Sequence, residues 1–465
     1  MKRKMKWGLV VAALLVAVVA VVWCMWPAPY DSAVPAQAKA VLRVDLSRDG
    51  GRSPLAQSVQ RWLGFTPAGV DASRPAYAFI TPNEYVGLVM ALDDESAFLS
   101  SVKALQSHRK ASLMDDADGM HWAWMNAGWL VGWDGSRLVA LGPGVAQERD
   151  ELRQTIVRMC GSKDRFTDTG AYSRLTSLPG GMQLYAQLDA MPAPYNVLFR
   201  LNVPADCPRE AVQVFASVRS CGQNGWQADY TVESENADVR NAIDQFERSK
   251  GCIRLHPDES RTRPLLLMAT RTHGRDLLDL LQSDGTLRDL LAGINSVADA
   301  DRMLGTSNGL LTLKVGSIDK DWNPSFELAA DNADASILND ADYWLECAAK
   351  QKGVTLLRKD AQTFVLTNEK QTVQFGTHQE AGVRRVYFAS PSMVDAPASA
   401  RRMAETDGGK DGLLAYFEVD MNQLRSQPCL KGDSTVGSLL QVLMPASQRL
   451  VYEARAGRKG TLKVE

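Results

Sequence analysis

The chain has 465 residues, long for one hydrophobic core and suited to two domains of about 200 residues each. Its 52 basic residues nearly balance 54 acidic ones, giving a net charge of -2 and a pI near 6.3. With no basic excess there is no large counterion-release term to hold a phosphate backbone, so nucleic acid is excluded as an expected partner.

Lys2, Arg3, Lys4 and Lys6 give a basic stub at residues 1–6, and residues 7–26 then run for twenty positions without a charged side chain, closed by Pro27. Twenty helical residues span about 30 Å, the hydrocarbon thickness of a bilayer. The next basic residue is Lys39, so the positive-inside rule leaves the N-terminus in the cytoplasm. A cleaved signal would have a shorter apolar core of roughly 7 to 15 residues, and the small-x-small sequence Ala36-Gln37-Ala38 comes well after Pro27. Lipid attachment would use Cys24, but Trp23 stands before it where a small residue is expected. The segment reads as an uncleaved single-pass transmembrane anchor in the inner membrane, with Trp7, Trp23 and Trp26 as interfacial belts and the bulk of the chain in the periplasm. Residues 27–39, with three prolines, read as an extended tether.

A first α+β domain is expected over residues 40–250. Residues 40–46 open it as a strand, and Leu55, Val59 and Leu63 at four-residue spacing predict a helix after the Gly50-Gly51 turn. Residues 76–80 and 85–92 predict a hairpin around Pro82-Asn83-Glu84, and Phe98, Val102 and Leu105 mark one face of a helix starting at Glu95. Residues 120–142, MHWAWMNAGWLVGWDGSRLVALG, predict three short strands joined by turns at Asn126-Ala127-Gly128 and Asp134-Gly135. Helices are expected over residues 146–160 and 170–178, strands over 182–189 and 226–233, and a further helix along Val239, Ile243 and Phe246.

Residues 251–263 read as a charged connector, and residues 264–465 as a second copy of the same domain. Residues 264–269 followed by Gly274 and Leu277 answer residues 39–44 followed by Gly51 and Leu55. The pairs 310–315 with 325–329, the helix near Tyr343, the strands at 354–357, 364–366 and 372–375, the strand 413–420 and the hairpin at 450–465 then keep the order of the first half, at offsets between about 224 and 235 residues. The expected fold is therefore α+β: two tandem copies of a mostly antiparallel sheet-plus-helices domain after one N-terminal transmembrane helix.

The basic stub, the apolar segment, the opening VPAQAKAVLRVDL and the two halves together resemble an uncharacterised Bacteroidota family of membrane-anchored cell-envelope proteins and lipoproteins. That resemblance implies an envelope location and carries no activity, catalytic residue or cofactor.

Motifs for chemistry are sparse. The five histidines, His108, His121, His256, His273 and His378, form no HxH, HxxxH or HExxH, and there is no CxxC, so no metal is expected. Asp115-Asp116-Ala117-Asp118-Gly119 fails as a calcium loop because Met125 stands where the bidentate carboxylate belongs, and a polar turn explains it. Asp45, Asp189 and Asp420 each follow a strand, but Ala269 takes the fourth such place, which favours capping over acid–base work. There is no GxSxG, no GxxxxGK[ST] and no GxGxxG after a strand.

The remaining cysteines are Cys160, Cys207, Cys221, Cys252, Cys347 and Cys429. Cys207 with Cys221 is the pair a hairpin would bring together, and separate buried thiols are the alternative. Trp122, Trp124, Trp129 and Trp133 crowd one meander and make a candidate stacking face for a lipid or glycan, against the plainer reading of core packing. The function expected is that of a non-enzymatic, membrane-anchored envelope protein acting as an interaction or structural module. The alternatives are a lipid- or glycan-binding carrier or sensor and, third, a hydrolase with a dispersed site. No cofactor is expected, and the partners are the membrane through residues 7–26 and an envelope protein, lipid or glycan.

Overall fold

The computed structural model describes residues 29–46, 68–191, 197–200, 202–204, 206–221, 225–255, 264–283, 288, 291–292, 294–321, 323–369, 372–380, 382–394, 404–407, 412–430 and 448–465. The anchor at residues 7–26, the helix expected over Leu55, Val59 and Leu63, and most of the connector lie outside the described residues. The chain divides into two compact units, Met1–Ala38 with Pro67–Ser173, and Lys39–Thr66 with Arg174–Glu465. Strand β1 (Ala40–Val44) belongs to the second of these.

In the first unit β2 (Ala76–Ile80) and β3 (Val86–Ala91) form a hairpin, and helix α1 (Glu95–Ser107) follows. A meander of β4 (Ala111–Ala117), β5 (Met120–Met125), β6 (Trp129–Trp133) and β7 (Arg137–Gly142) comes next, with β7 pairing back onto β3. The antiparallel order is β2-β3-β7-β6-β5-β4. Helix α1 starts where the Asp94 carboxylate accepts the Ala97 N–H at 2.9 Å, and Phe98 and Val102, one turn apart, are its buried residues. The β4–β5 connection is tight because Asp118 and Gly119 both take positive φ, 58° and 73°, as a two-residue hairpin turn requires. The core gathers Trp122, Trp133, Phe98, Leu130 and Leu141 with Leu152 and Ile156 of helix α2 (Arg149–Gly161).

The second unit continues with β8 (Met182–Gln187), β9 (Gln213–Cys221), β10 (Gly225–Glu233), helix α3 (Ala237–Lys250), β11 (Cys252–Leu255), β12 (Leu266–His273) and helix α4 (Gly274–Ser283). Then come β13 (Ser307–Ile318), β14 (Pro324–Asn332), helix α5 (Ala341–Ala349), β15 (Thr355–Arg358), β16 (Thr363–Thr367), β17 (Thr372–Glu380) and β18 (Val383–Ala389). It ends with β19 (Ala404–Asp407), β20 (Leu413–Asp420), β21 (Arg449–Arg455) and β22 (Lys459–Val464). Antiparallel pairing gives the order β1-β8-β9-β10-β22-β21-β20-β12-β13-β14-β18-β17-β16-β15, while β11 and β19 pair separately. The run β13-β14-β18-β17-β16-β15 has the strand order of the first unit.

One apolar cluster here packs Trp344 of α5 on Phe364, Phe375 and Phe388. Another packs Val239 and Ile243 of α3 on Val214, Tyr230, Val232 and Tyr452.

The expected α+β class, with two tandem sheet-plus-helices domains behind a transmembrane helix, is corrected by this architecture. All 22 described strands pair antiparallel, 20 of them in the two orders above and two as the β11–β19 pair, and helices are few. Among the described residues no helix is long and apolar enough to cross a membrane. The sheet content was underestimated because β4, β9 and β18 carry charged or polar residues at exposed and half-exposed places, which hides a strand from an apolar count. Residues 115–117, read as a polar turn, are the end of β4, and only Asp118 and Gly119 turn.

Candidate functional site

The four meander tryptophans divide by position along their strands. Trp122 and Trp133 are fully buried and Trp124 is 6% exposed, while Trp129 at the start of β6 is half-buried. Trp122 lies against its cross-strand partner Gly132, where a Cβ would meet its ring at 2.7 Å. Its Nε1 donates to the Ala117 carbonyl at 3.0 Å. Trp133 meets Phe98 edge-on at 5.2 Å, and its buried Nε1 has no hydrogen-bond partner among the described residues. Helix α2 sets Arg149 over Trp124 at 4.6 Å and Arg153 over Trp122 at 5.4 Å. Three of the four rings are therefore core, and guanidinium groups lie over two of them, Trp122 and Trp124. A stacking platform needs open ring faces.

His121 projects from the same meander. Its Nδ1 is 2.7 Å from Asp116 and its Nε2 3.1 Å from Glu95, with Trp133 beside the ring at 5.6 Å. Both nitrogens face carboxylates, so neither is placed to activate a nucleophile.

His273, at the end of β12, comes nearer to a catalytic arrangement. Its Nε2 is 3.5 Å from the Ser249 hydroxyl and its Nδ1 3.1 Å from Asn308 Oδ1, a nucleophile, base and orienter in outline. The hydroxyl already donates to the Phe246 carbonyl at 2.9 Å. Ser249 also belongs to the last turn of α3, where the helix presents carbonyls and the negative end of its dipole to any developing oxyanion. The electrostatics oppose acyl transfer there.

A buried polar group of the second unit starts at the next residue, Lys250. Lys250 is fully buried and its Nζ donates to Asn202 Oδ1 at 3.2 Å; Asn202 Nδ2 donates to the Tyr452 hydroxyl at 3.4 Å, and Tyr230 donates to the same hydroxyl at 2.8 Å. The two tyrosine rings stack 5.7 Å apart. Burial lowers the Lys250 ammonium to about 7, against the pull of Asp276 and Glu247. Burial also raises both phenols. Glu247, raised by burial, accepts the N–H groups of Gly457 and Arg458 at 2.9 and 3.0 Å, where both residues turn with positive φ, 84° and 60°. Tyr230, Tyr452, Asn202, Glu247 and Phe199 line a pocket of about 10 Å³, roughly the space of one water. The group joins α3 to the β21–β22 hairpin and leaves no room for a substrate.

A second buried cluster centres on Arg385 of β18, which binds Glu380 at 2.9 Å and Asp331 at 3.2 Å and donates to the Ala329 carbonyl at 3.0 Å. His378, whose Nε2 is 3.9 Å away, and then the Arg385 guanidinium hold the Glu380 carboxyl at about 2, against the effect of burial.

Asp420 caps the short helix Met421–Ser426, accepting the Gln423 N–H at 2.9 Å. Among the described residues no group of three or more His, Cys, Asp or Glu could hold a metal ion. Cys207 and Cys221 are both free thiols, and the hairpin that follows Cys221 pairs it with Gly225.

Helical spacing carried a signal that the apolar count missed. The inward residues of α3 are Val239, Ile243, Glu247 and Lys250, one continuous stripe whose last two members are charged.

No family model matches the chain, and no curated protein does. Among solved structures it is similar to TP0453 in crystal forms IV, I and III, at TM-scores of 0.30, 0.32 and 0.29 and identities of 12%, 12% and 10%. These matches cover 45%, 50% and 49% of this chain and 82%, 89% and 89% of those chains. A likeness at such scores is too slight to carry a fold or a chemistry.

Proposed function

We propose that the chain is a non-enzymatic cell-envelope protein, held in the inner membrane by residues 7–26, whose folded part outside the cytoplasm acts as an interaction module. The observation that carries this reading is an open sheet edge with apolar side chains in solvent. Tyr343 on α5 is 65% exposed and Leu357 on β15 is 61% exposed, while the histidines and indoles that would serve chemistry are engaged in packing and ion pairs. Exposed large apolar side chains beside an unpaired strand are how sheet proteins receive partners.

The test is crosslinking and pulldown from membranes, comparing the full chain with a shortened chain beginning at Ala28. Recovery of the same crosslinked partner by both assigns recognition to the folded part. Recovery of no partner by either sinks the interaction reading.

A further inference from the structure

Strand β15 is the end of the second unit's strand order. It pairs with β16 on one side, and among the described residues no strand lies on the other. Alternation along it sends Leu356 into the core at 7% exposure and Leu357 the opposite way at 61%. Helix α5 is tied to this edge by Asp342, whose carboxylate binds Arg358 at 2.8 Å, one residue from Tyr343 on one side and from Leu357 on the other.

The strand and its two flanks carry cations, with carboxylates close by: Asp342 pairs with Arg358, Asp360 follows Lys359, and Glu369 lies by Gly353. Residues 350–359, KQKGVTLLRK, hold Lys350, Lys352, Arg358 and Lys359 and no acidic residue, and all four cations are exposed. Cations beside a short edge strand discourage its pairing with a second copy. In an antiparallel pair of two such edges, the Lys350 and Lys352 end of one copy would face the Arg358 and Lys359 end of the other, like against like. The same charges attract a strand of opposite sign.

We propose that β15 receives an extended acidic segment of a partner protein as an added antiparallel strand, an apolar side chain meeting Leu357 and carboxylates meeting Lys352 and Lys359. This rests on the interaction-module reading and names the partner's chemistry. Main-chain hydrogen bonds to the free edge supply the contact, and the flanking ammonium groups set the sign of the sequence accepted.

The probe is a fluorescent synthetic peptide of alternating Val and Glu, titrated against the full-length protein by anisotropy. Controls are the same peptide with Lys for Glu, and the Val/Glu peptide N-methylated at alternate residues so that it cannot donate to a strand. The Val/Glu peptide is expected to bind at least tenfold more tightly than either control, and to lose that margin on the double variant Lys352→Glu with Lys359→Glu. Equal binding of the N-methylated peptide, or indifference to the charge reversal, would overturn the proposal. A membrane crosslink that survives the charge reversal would sink this edge and leave the broader reading standing, whereas no crosslink at all would remove both.

Discussion

The meanders β4–β7 and β15–β18 share a strand order and differ in what fills and flanks them. In the first, indoles on the strands themselves fill the core, and cations from α2 cover two of them. In the second, Phe364, Phe375 and Phe388 stack along the strands and the one indole, Trp344, comes from a helix. Their outer strands also carry opposite charge: Asp115 and Asp116 on β4, Arg358 and Lys359 at β15. Strand order is thus compatible with quite different side-chain solutions, and what distinguishes the two meanders is edge charge and the source of the aromatic rings.

If both meanders are true cores, removing a central ring from either should cost the same. Trp133→Ala and Phe375→Ala, both at 0% exposure, are each expected to lose about 3–5 kcal/mol in denaturant titration. A loss under about 1 kcal/mol from Trp133→Ala would mean that the first meander is not packed as described.

The second meander also holds a buried charge cluster, and that asymmetry is readable by pH. The folded Glu380 carboxyl sits at about 2 against 4.5 unfolded, so its contribution is full above about 4.5 and lost as pH falls toward 2. With the side chain 19% exposed, the contribution is about 3 kcal/mol at most. Glu380→Gln should flatten the acid limb of the stability curve in that window. An unchanged limb would show that the Arg385 cluster does not govern it.

Smaller effects test the coverings of the first meander. Arg149→Ala removes the guanidinium over Trp124 and should cost about 0.5–1 kcal/mol, with a change in tryptophan fluorescence that Arg158→Ala, on the outer side of the same helix, does not produce. Asp116→Asn leaves His121 with Glu95 alone. That partly exposed pair should change stability by under about 1 kcal/mol, and a larger loss would make the clamp a structural element of the edge.

The sequence made the first meander and the last hairpin legible because their turns announce themselves: Asn126-Ala127-Gly128, Asp134-Gly135 and the β21–β22 turn near Gly457 all lie where two short runs of β-formers meet. Helices α1, α2 and α3 were legible from four-residue apolar spacing. β4 was not, since an edge strand with one face in water tolerates Asp115 and Asp116 at no cost in burial. Nor was the Lys250, Asn202 and Tyr452 group, because residues 202, 250 and 452 are joined only by tertiary contact and a lysine at a helix end ordinarily reads as solvated. The free state of Cys207 and Cys221 was equally beyond spacing arguments, because a disulfide depends on Cβ geometry.

The place of β22 between β10 and β21 has a consequence in time. Tyr230 and Tyr452, hydrogen-bonded across that seam, are 222 residues apart in the chain. At a synthesis rate of about 5–20 residues per second, β10 leaves the ribosome roughly 11 to 45 s before its neighbour exists. For that interval an interior strand of the finished sheet is an open edge, available to any other strand. The folding problem of this chain is accordingly one of waiting: β1, β8, β9 and β10 can pair with one another, but the outer edge of β10 must stay open until the hairpin that covers it arrives.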